Sequence, residues 1–322
     1  MPALIRQARR LLDQGQAAVL ITVAQTKGSA PRNAGTRMLV SSTQQWQTIG
    51  GGHLEWQAIH QARTLMNDHV AGKSARLIER YPLGPRLGQC CGGMVTLVFE
   101  LLGSDDLEWL EDLATLLGTG KSAQRRVGMG AQHDVSLMEL PHSLGHTRLD
   151  QDLDGHTQWF TDELSPPAIP VVLFGAGHIG KALVHFLGSL SDCSVTWVDE
   201  REAEFPDSIP SNVQVHITDF PEEAVELAPA NAYFLVMTHR HDLDQKLCNH
   251  ILKRNDFRYA GLIGSQTKRQ QFEKRFRQRG ITDEVIERLT CPIGIGQIRS
   301  KEPAAIAVAI TAQLLQLHES FL

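Results

Sequence analysis

Cys90 and Cys91 are adjacent in a glycine-rich segment, residues 87–93, of a 322-residue chain that has five cysteines. An odd number of cysteines spread over a long chain does not indicate a disulfide framework, and neighbouring cysteines do not readily bond to each other. We expect Cys90 or Cys91 to bind a ligand, because a glycine-rich loop leaves a cysteine accessible and nearby Arg86 would raise the thiolate fraction. The alternative is a pair of buried structural cysteines. The isolated cysteines are interpreted as small buried hydrophobic residues: Cys193, Cys248 and Cys291.

Two further glycine loops in the first half of the chain suit an anionic ligand. The loop at residues 26–36 carries two fixed positive charges, several hydroxyl groups and two glycines, which suits an oxyanion or a phosphate. The glycine run at residues 50–52 precedes a predicted helix, whose first N–H groups favour an anion. Either loop alone is also compatible with an ordinary surface turn. The predicted ligand-binding residues here are Lys27, Ser29, Arg32, Gly51, Gly52, His53 and Glu55, with Gln89 beside the thiols.

The second half contains a dinucleotide-binding fingerprint. The sequence Gly-Ala-Gly-His-Ile-Gly at residues 175–180 follows an apolar strand and opens a helix, and Asp199 ends the next strand. We expect Asp199 to accept hydrogen bonds from ribose hydroxyl groups and to repel a 2′-phosphate, which favours an NAD-like nucleotide. Alternatively, the glycines serve packing alone and no nucleotide binds. The predicted nucleotide contacts are Gly175, Gly177, His178, Gly180 and Asp199.

Three more turns follow predicted strands in this half. His239 and His241, with Asp242, are suited to binding a metal or moving protons, and a solvated polar loop explains them equally well. Glycine-rich turns lie at residues 261–265 and 291–296. Because ligands of open parallel sheets bind at the carboxyl ends of the strands, we expect these turns to line one crevice.

The loops of the first half must be positioned by short elements of mixed type. Apolar and β-branched residues 17–24 predict a buried strand, and residues 36–41 and 45–49 predict a hairpin. The other predicted elements are helices at residues 7–12, 53–67 and 107–117, strands at 75–80 and 94–101, and further β-structure near Arg126, Val135 and Trp159.

Three prolines within residues 163–170 predict a stiff linker, because proline fixes φ and removes a backbone donor. Beyond it, apolar strands alternate with helices, which predicts a parallel sheet with covering helices. The predicted fold class is α/β, with an N-terminal α+β domain at residues 1–162, the linker, and a Rossmann-like, doubly wound parallel-sheet domain at residues 171–322.

Composition excludes several classes of function. The chain has 31 basic and 36 acidic residues and no basic arm, so we do not expect it to bind nucleic acid. It has no signal-peptide pattern and no run of about 18 apolar residues, so we expect a cytoplasmic protein that does not associate with membranes.

Taken together, these motifs resemble those of the xanthine dehydrogenase accessory family, also called the XdhC/CoxI family. The resemblance covers both predicted domains in order, nearly end to end. One departure is His53, where the CoxI-like branch tends to have cysteine, and this weakens any role for a thiolate there. The matching segments are residues 28–32, 35–38, 49–55, 88–93, 175–180, 238–242, 261–265, 292–294 and 304–307.

The resemblance implies an accessory protein that binds molybdenum cofactor (molybdopterin) and holds it while a cysteine desulfurase partner helps to sulfurate it. The protein would then deliver the cofactor to an apo molybdenum hydroxylase of the xanthine dehydrogenase type. Cys90 or Cys91 would contact the molybdenum or its exchangeable sulfur, because soft thiolates suit such a centre. The loops at residues 27–32 and 50–52 would hold the pterin phosphate. The Rossmann crevice would bind an NAD-like nucleotide or the nucleotide extension of a dinucleotide form of the cofactor.

On this interpretation the chain is a non-catalytic cofactor chaperone, expected to be a homodimer, and no catalytic residue is predicted. A different class is an NAD-dependent oxidoreductase that uses the fingerprint and Asp199, with His239 or His241 as the proton-transfer group. It leaves the two adjacent thiols unexplained. A third class, a hydrolase or redox sensor built on the cysteine pair, needs a base such as His53 or His60 near a thiolate.

Overall fold

The computed structural model divides into two compact units, residues 1–166 and 167–322. The residues that it describes are 3–68, 75–83, 92–129, 134–141, 143, 145–151 and 158–321.

The first unit contains a five-stranded antiparallel sheet with the order β3-β2-β1-β5-β4. Its central strand, β1, is hydrogen-bonded on both sides, to β2 and to β5. The hairpin partner β3 is shorter than predicted and ends at Trp46. The strands are β1 (Ala18–Lys27), β2 (Arg37–Ser41), β3 (Gln45–Trp46), β4 (Ala75–Pro82) and β5 (Met94–Leu102).

Helices cover both faces of this sheet, and a second, four-stranded antiparallel sheet follows with the order β7-β6-β9-β8. The helices are α1 (Ala3–Asp13), α2 (His53–Asp68) and α3 (Leu107–Gly118). The second sheet consists of β6 (Ser122–Gly128), β7 (Val135–Leu140), β8 (Thr147–Gln151) and β9 (Gln158–Leu164).

Side chains of β1 alternate between the two covering layers, because successive residues of a strand face opposite sides. Val19, Ile21 and Val23 pack in one core with α2, whereas Ala18 and Leu20 pack in another with α1 and α3. Both faces of residues 18–24 are buried, and this part of the strand is apolar apart from Thr22.

A buried charge network joins the two sheets. Arg125 of β6 is 0% exposed and donates to Glu100 of β5 at 2.8 and 3.1 Å and to Asp162 of β9 at 3.0 and 3.2 Å. Arg37, the first residue of β2, donates to the same Asp162 at 2.8 Å. Burial alone would raise the pKa of Asp162, but the two guanidinium groups hold it below its usual range. The network thus ties the start of β2 to the second sheet.

The second unit is a six-stranded parallel sheet with the order β12-β11-β10-β13-β14-β15. Numbered along this unit the order is 3-2-1-4-5-6, the order of dinucleotide-binding sheets, which confirms the predicted Rossmann-like fold. The strands are β10 (Ile169–Phe174), β11 (Cys193–Asp199), β12 (Val213–Ile217), β13 (Tyr233–Val236), β14 (Tyr259–Leu262) and β15 (Leu289–Thr290). The helices are α4 (His178–Leu187), α5 (Glu222–Leu227), α6 (His241–Arg254), α7 (Gln266–Gln278), α8 (Asp283–Glu287) and α9 (Pro303–Glu319).

The sheet is doubly wound, because alternate residues of β10 belong to different cores. Val172 and Phe174 pack with α5, α6 and α7, and Val171 and Leu173 pack with α4 and α9. The segment between the units is shorter than the predicted linker: strand β9 continues to Leu164 and β10 begins at Ile169, which leaves only residues 165–168 outside the strands. No helix within the described ranges is long and apolar enough to span a membrane.

Candidate functional site

Three loops of the first unit meet at glycines where an added side chain would be crowded. A Cβ at Gly93 would lie 2.1 Å from the carbonyl oxygen of Ser29, and a Cβ at Gly28 would lie 3.2 Å from the Cα of Gly93. A Cβ at Gly50 would lie 3.0 Å from the Cγ of Arg32. We call these segments, residues 27–32, 50–52 and 92–93, the loop cluster. The structure therefore brings the predicted anion loops together beside the end of the double-cysteine segment.

The loop cluster presents positive charge to solvent. Lys27, Ser29 and Arg32 are all exposed. Neither Lys27 nor Arg32 forms an ion pair with a carboxylate of the described part of the chain. Two cations and a hydroxyl group on one glycine-rich surface are suited to a phosphate.

The carboxylate of Glu55 shapes the glycine run from within. Its Oε2 atom accepts hydrogen bonds from the N–H groups of Ile49 at 3.1 Å and Gly50 at 3.2 Å, and from the hydroxyl of Thr48. This side chain was predicted to bind a ligand, but in the structure its carboxylate accepts hydrogen bonds from the backbone at the start of the glycine run. Gly51 and Gly52 have positive φ values, 77° and 44°, which favour glycine.

The residues predicted to contact a metal, Cys90 and Cys91, lie outside the described residues, as does Gln89. The N–H of Leu83 donates to the carbonyl oxygen of Gly93 at 2.7 Å, so the two ends of this segment are held together. The interpretation of the isolated cysteines is confirmed, because all are buried and burial raises the pKa of each thiol: Cys193, Cys248 and Cys291.

An exposed set of rings extends from the loop cluster along α2. His53, the first residue of this helix, stacks on Trp56 with ring centroids 5.7 Å apart, and Trp56 contacts His60 at 6.0 Å. Trp56 is 62% exposed. We call these three residues the aromatic ridge. Trp56 was not among the predicted site residues, although its spacing from the two histidines, i−3 and i+4, is the signal for one helix face.

In the second unit, the fingerprint glycines have the tight contacts that their motif requires. Gly175 has a φ of 116°, and a Cβ there would lie 2.4 Å from the carbonyl oxygen of Met237. A Cβ at Gly180 would lie 2.2 Å from the carbonyl oxygen of Gly175, which explains the close approach of α4 to the sheet. At Gly177 a Cβ would meet no atom within 4 Å, so that position has space beside it. His178 is exposed at the first position of α4.

Asp199 is occupied by protein donors. Its carboxylate accepts hydrogen bonds from the N–H groups of Ala176 at 2.7 Å and Arg201 at 3.0 Å, and two more from the Arg201 guanidinium at 2.9 Å. Burial would raise the pKa of Asp199, but these bonds hold it below its usual range. A carboxylate has about four acceptor positions, and all are used here. Asp199 therefore holds the glycine loop and is also paired with Arg201.

The two predicted histidines are not arranged as a metal site. His239 lies beside a crevice at the carboxyl ends of β10, β11 and β13, with Nε2 3.5 Å from the Oε1 of Glu200. His241 is exposed at the start of α6, and Asp242 pairs with Arg240 at 2.7 Å. Among the described residues no group of three or more His, Cys, Asp or Glu side chains could hold a metal ion.

A buried ion pair connects the turns at the carboxyl ends of the strands. Asp244 of α6 is 0% exposed and accepts from the Nζ of Lys268 of α7 at 2.6 Å. Asp244 also accepts from the N–H of Thr238 after β13, and Lys268 donates to the carbonyl oxygen of Ile263 after β14, so the pair joins the two turns. A Cβ at Gly261 would lie 2.5 Å from the Cδ1 of Ile293, so the turn after β15 lies close as well. These turns come together as the sequence predicts, but nothing in the sequence singled out Asp244 or Lys268.

Comparisons with known proteins match both units. A family model described as the XdhC and CoxI family matches residues 11–82, and one described as the XdhC Rossmann domain matches residues 171–314. A protein of Bacillus subtilis, described as a probable subunit of xanthine dehydrogenase, is 25% identical over 331 residues, with 96% of each chain covered.

Two further relatives differ in how much they share. The uncharacterized protein YqeB of Escherichia coli is 31% identical over 157 residues, which cover 47% of this chain and 27% of YqeB. A crystal structure of a xanthine dehydrogenase from Bacillus halodurans superposes with a TM-score of 0.66 at 24% identity, covering 99% of this chain and 96% of its own. The superposition shows a shared fold across both units.

Proposed function

Because this chain belongs to the XdhC and CoxI family, we propose that it is an accessory protein that binds molybdenum cofactor in the cytoplasm. It supports sulfuration of the cofactor and inserts it into a xanthine dehydrogenase-type molybdenum hydroxylase. The relation to a probable subunit of xanthine dehydrogenase, over 96% of both chains, supports a link with that class of enzyme.

One observation carries the proposal: the loop cluster joins a cationic, glycine-rich surface to the end of the double-cysteine segment. Gly93 packs against the carbonyl oxygen of Ser29, and Cys91 is only two residues before Gly93 in the chain. Molybdenum cofactor has a metal held by a dithiolene and a phosphate tail. Lys27 and Arg32 are suited to the phosphate, and a thiolate is suited to the metal or its exchangeable sulfur.

In the proposed function, the cysteine desulfurase partner, the cysteine pair and the second unit have separate roles. A cysteine desulfurase partner supplies the sulfur while Cys90 or Cys91 keeps the metal centre in place. By itself, the second unit would offer a nucleotide the first N–H groups of α4, which are suited to a pyrophosphate. The functional form is a homodimer.

The test is the molybdopterin content of protein purified from a molybdenum-replete host, measured as pterin fluorescence after oxidative release. We expect bound molybdopterin in the wild type and its loss from Lys27→Ala Arg32→Ala, whereas Lys253→Ala Lys274→Ala, a control pair of exposed lysines in the second unit, retains it. Wild-type protein without pterin would contradict the proposal. Unchanged content in both Cys90→Ala and Cys91→Ala would exclude a thiolate ligand.

The Rossmann topology with His239 at its crevice favours a second candidate, an NAD-dependent oxidoreductase. The saturation of Asp199 weighs against it, because the usual ribose acceptor is already used. Saturable NADH binding with turnover of a small carbonyl substrate, retained in a Cys90→Ala Cys91→Ala variant, would favour this candidate over the accessory protein.

A further inference from the structure

We propose that the aromatic ridge of α2 is the docking surface for the apoenzyme that receives the cofactor. The inference rests on the proposed function and adds the contact through which transfer occurs. The ridge consists of His53, Trp56 and His60, and its centre, Trp56, is 62% exposed.

The exposure of the indole indicates a partner. A large aromatic side chain in water gives up the stabilisation that burial would bring. Tryptophan is enriched among the few residues that carry most of the binding energy of protein interfaces. Trp56 is also flanked by two rings, so the exposed surface is a continuous strip along one helix face. Such a strip is typical of a surface that a protein partner covers.

The shape of the ridge fits a protein partner better than a stacked ligand. His53 and His60 come from the preceding and following turns of the helix, and their planes are inclined to the indole by 25° and 35°. The indole is therefore flanked by an imidazole on each side along the helix. A bicyclic ligand would need an open face and a concave site, whereas this strip lies on the outer surface of a helix. Its shape fits an apolar pocket on another protein.

Position and charge identify the partner. The ridge begins at His53, directly after the glycine run of the loop cluster, so a molecule that takes over a group bound there must approach this edge. Arg32 is exposed and lies against this glycine run, with its Cγ 3.0 Å from a Cβ at Gly50, so the charge there is positive. The carboxylate of Glu55 accepts hydrogen bonds from the N–H groups of the same run. The complementary surface is an apolar pocket bordered by carboxylates, close to the cofactor site of the acceptor.

The experiment compares Trp56→Ala with Phe220→Ala, a control residue of the second unit that is 61% exposed. The probe is the purified apo form of the xanthine dehydrogenase from the organism that encodes this chain. For each variant we measure the affinity for this apoenzyme, the rate at which the apoenzyme is activated, and the molybdopterin content. We expect Trp56→Ala to bind the apoenzyme on the order of 30-fold more weakly and to activate it more slowly, at unchanged molybdopterin content. Trp56→Phe should recover part of the affinity, and Phe220→Ala should match the wild type.

Unchanged apoenzyme affinity in Trp56→Ala would overturn the proposal. Loss of molybdopterin from Trp56→Ala itself would also overturn it, because the ridge would then hold the ligand instead of the partner. Absence of molybdopterin from the wild type would refute the proposed function, and with it the docking role. These outcomes are distinguishable, because the first concerns the apoenzyme affinity of the variant, the second the molybdopterin content of the variant, and the third the molybdopterin content of the wild type.

Discussion

Replacing Asp162 by asparagine should destabilise the first unit strongly, because it removes one charge from a buried network. Asp162 is 0% exposed and accepts charge-assisted hydrogen bonds from Arg125 at 3.0 and 3.2 Å and from Arg37 at 2.8 Å. Asparagine keeps the shape but directs an NH₂ group at the guanidinium groups. Breaking a buried ion network in this way typically costs about 3–5 kcal/mol.

The assay is thermal and urea unfolding followed by circular dichroism. For a unit of this size, a loss of about 3–5 kcal/mol lowers the melting temperature by roughly 6–20 °C. The control is Glu139→Gln, which breaks the pair of Lys121 and Glu139, whose side chains are 51% and 50% exposed; this should cost under about 1 kcal/mol.

The effect of Asp162 should also depend on pH with a defined sign. Its pKa is lowered in the folded protein, so its stabilising contribution is complete above the unfolded value of about 3.9 and is lost as the pH falls through the folded value. The difference between wild type and Asp162→Asn should therefore shrink in acid. A cost under about 1 kcal/mol at neutral pH, or a difference that grows in acid, would refute the argument that this network is a tight ion cluster.

Three further outcomes test the site geometry. Gly93→Ala should lower both stability and molybdopterin content, because its Cβ would meet a backbone oxygen, whereas Gly92→Ala, with open space beside it, should leave stability unchanged. Gly175→Ala should destabilise the second unit, while Gly177→Ala should leave unfolding unchanged and weaken any nucleotide binding measured by calorimetry. At about pH 8, the fast phase of labelling by a thiol reagent should be absent in a Cys90→Ala Cys91→Ala variant, because the remaining thiols are buried. A fast phase that persists in this variant would contradict their burial.

Local pattern predicted most of the elements and the second unit's topology. The apolar strand, glycine turn and helix at residues 169–187 follow one another directly in the chain, so their geometry depends mainly on neighbouring residues. The sequence of residues 118–162 gave only weak indications of secondary structure. Arg125 of this region is buried, and its partners Glu100 and Asp162 lie on strands distant in the sequence. A buried arginine looks like a surface residue until its partners are known.

In the candidate site, too, the residue types were predictable from the sequence, whereas their contacts depended on the tertiary fold. Sequence motifs predicted Asp199 and Glu55 as ligand contacts, whereas the structure shows both carboxylates accepting hydrogen bonds from the protein itself. Their partners were not predictable, because whether a carboxylate faces a ligand or an internal N–H depends on how the chain folds back. Trp56 was missed because exposure is a tertiary property.

Residue order and spacing were enough to predict the two-part organisation, the Rossmann-like second unit, the family resemblance and the residue types available for chemistry, since all of these are local properties of the chain. Two features became visible only in the folded protein: the glycines at positions 28, 50 and 93 pack the anion loops into one cluster, and Asp199 is saturated, largely by Arg201. The physical reason is steric and electrostatic: a missing Cβ allows two backbones to touch, and a carboxylate binds the donors that the fold brings to it.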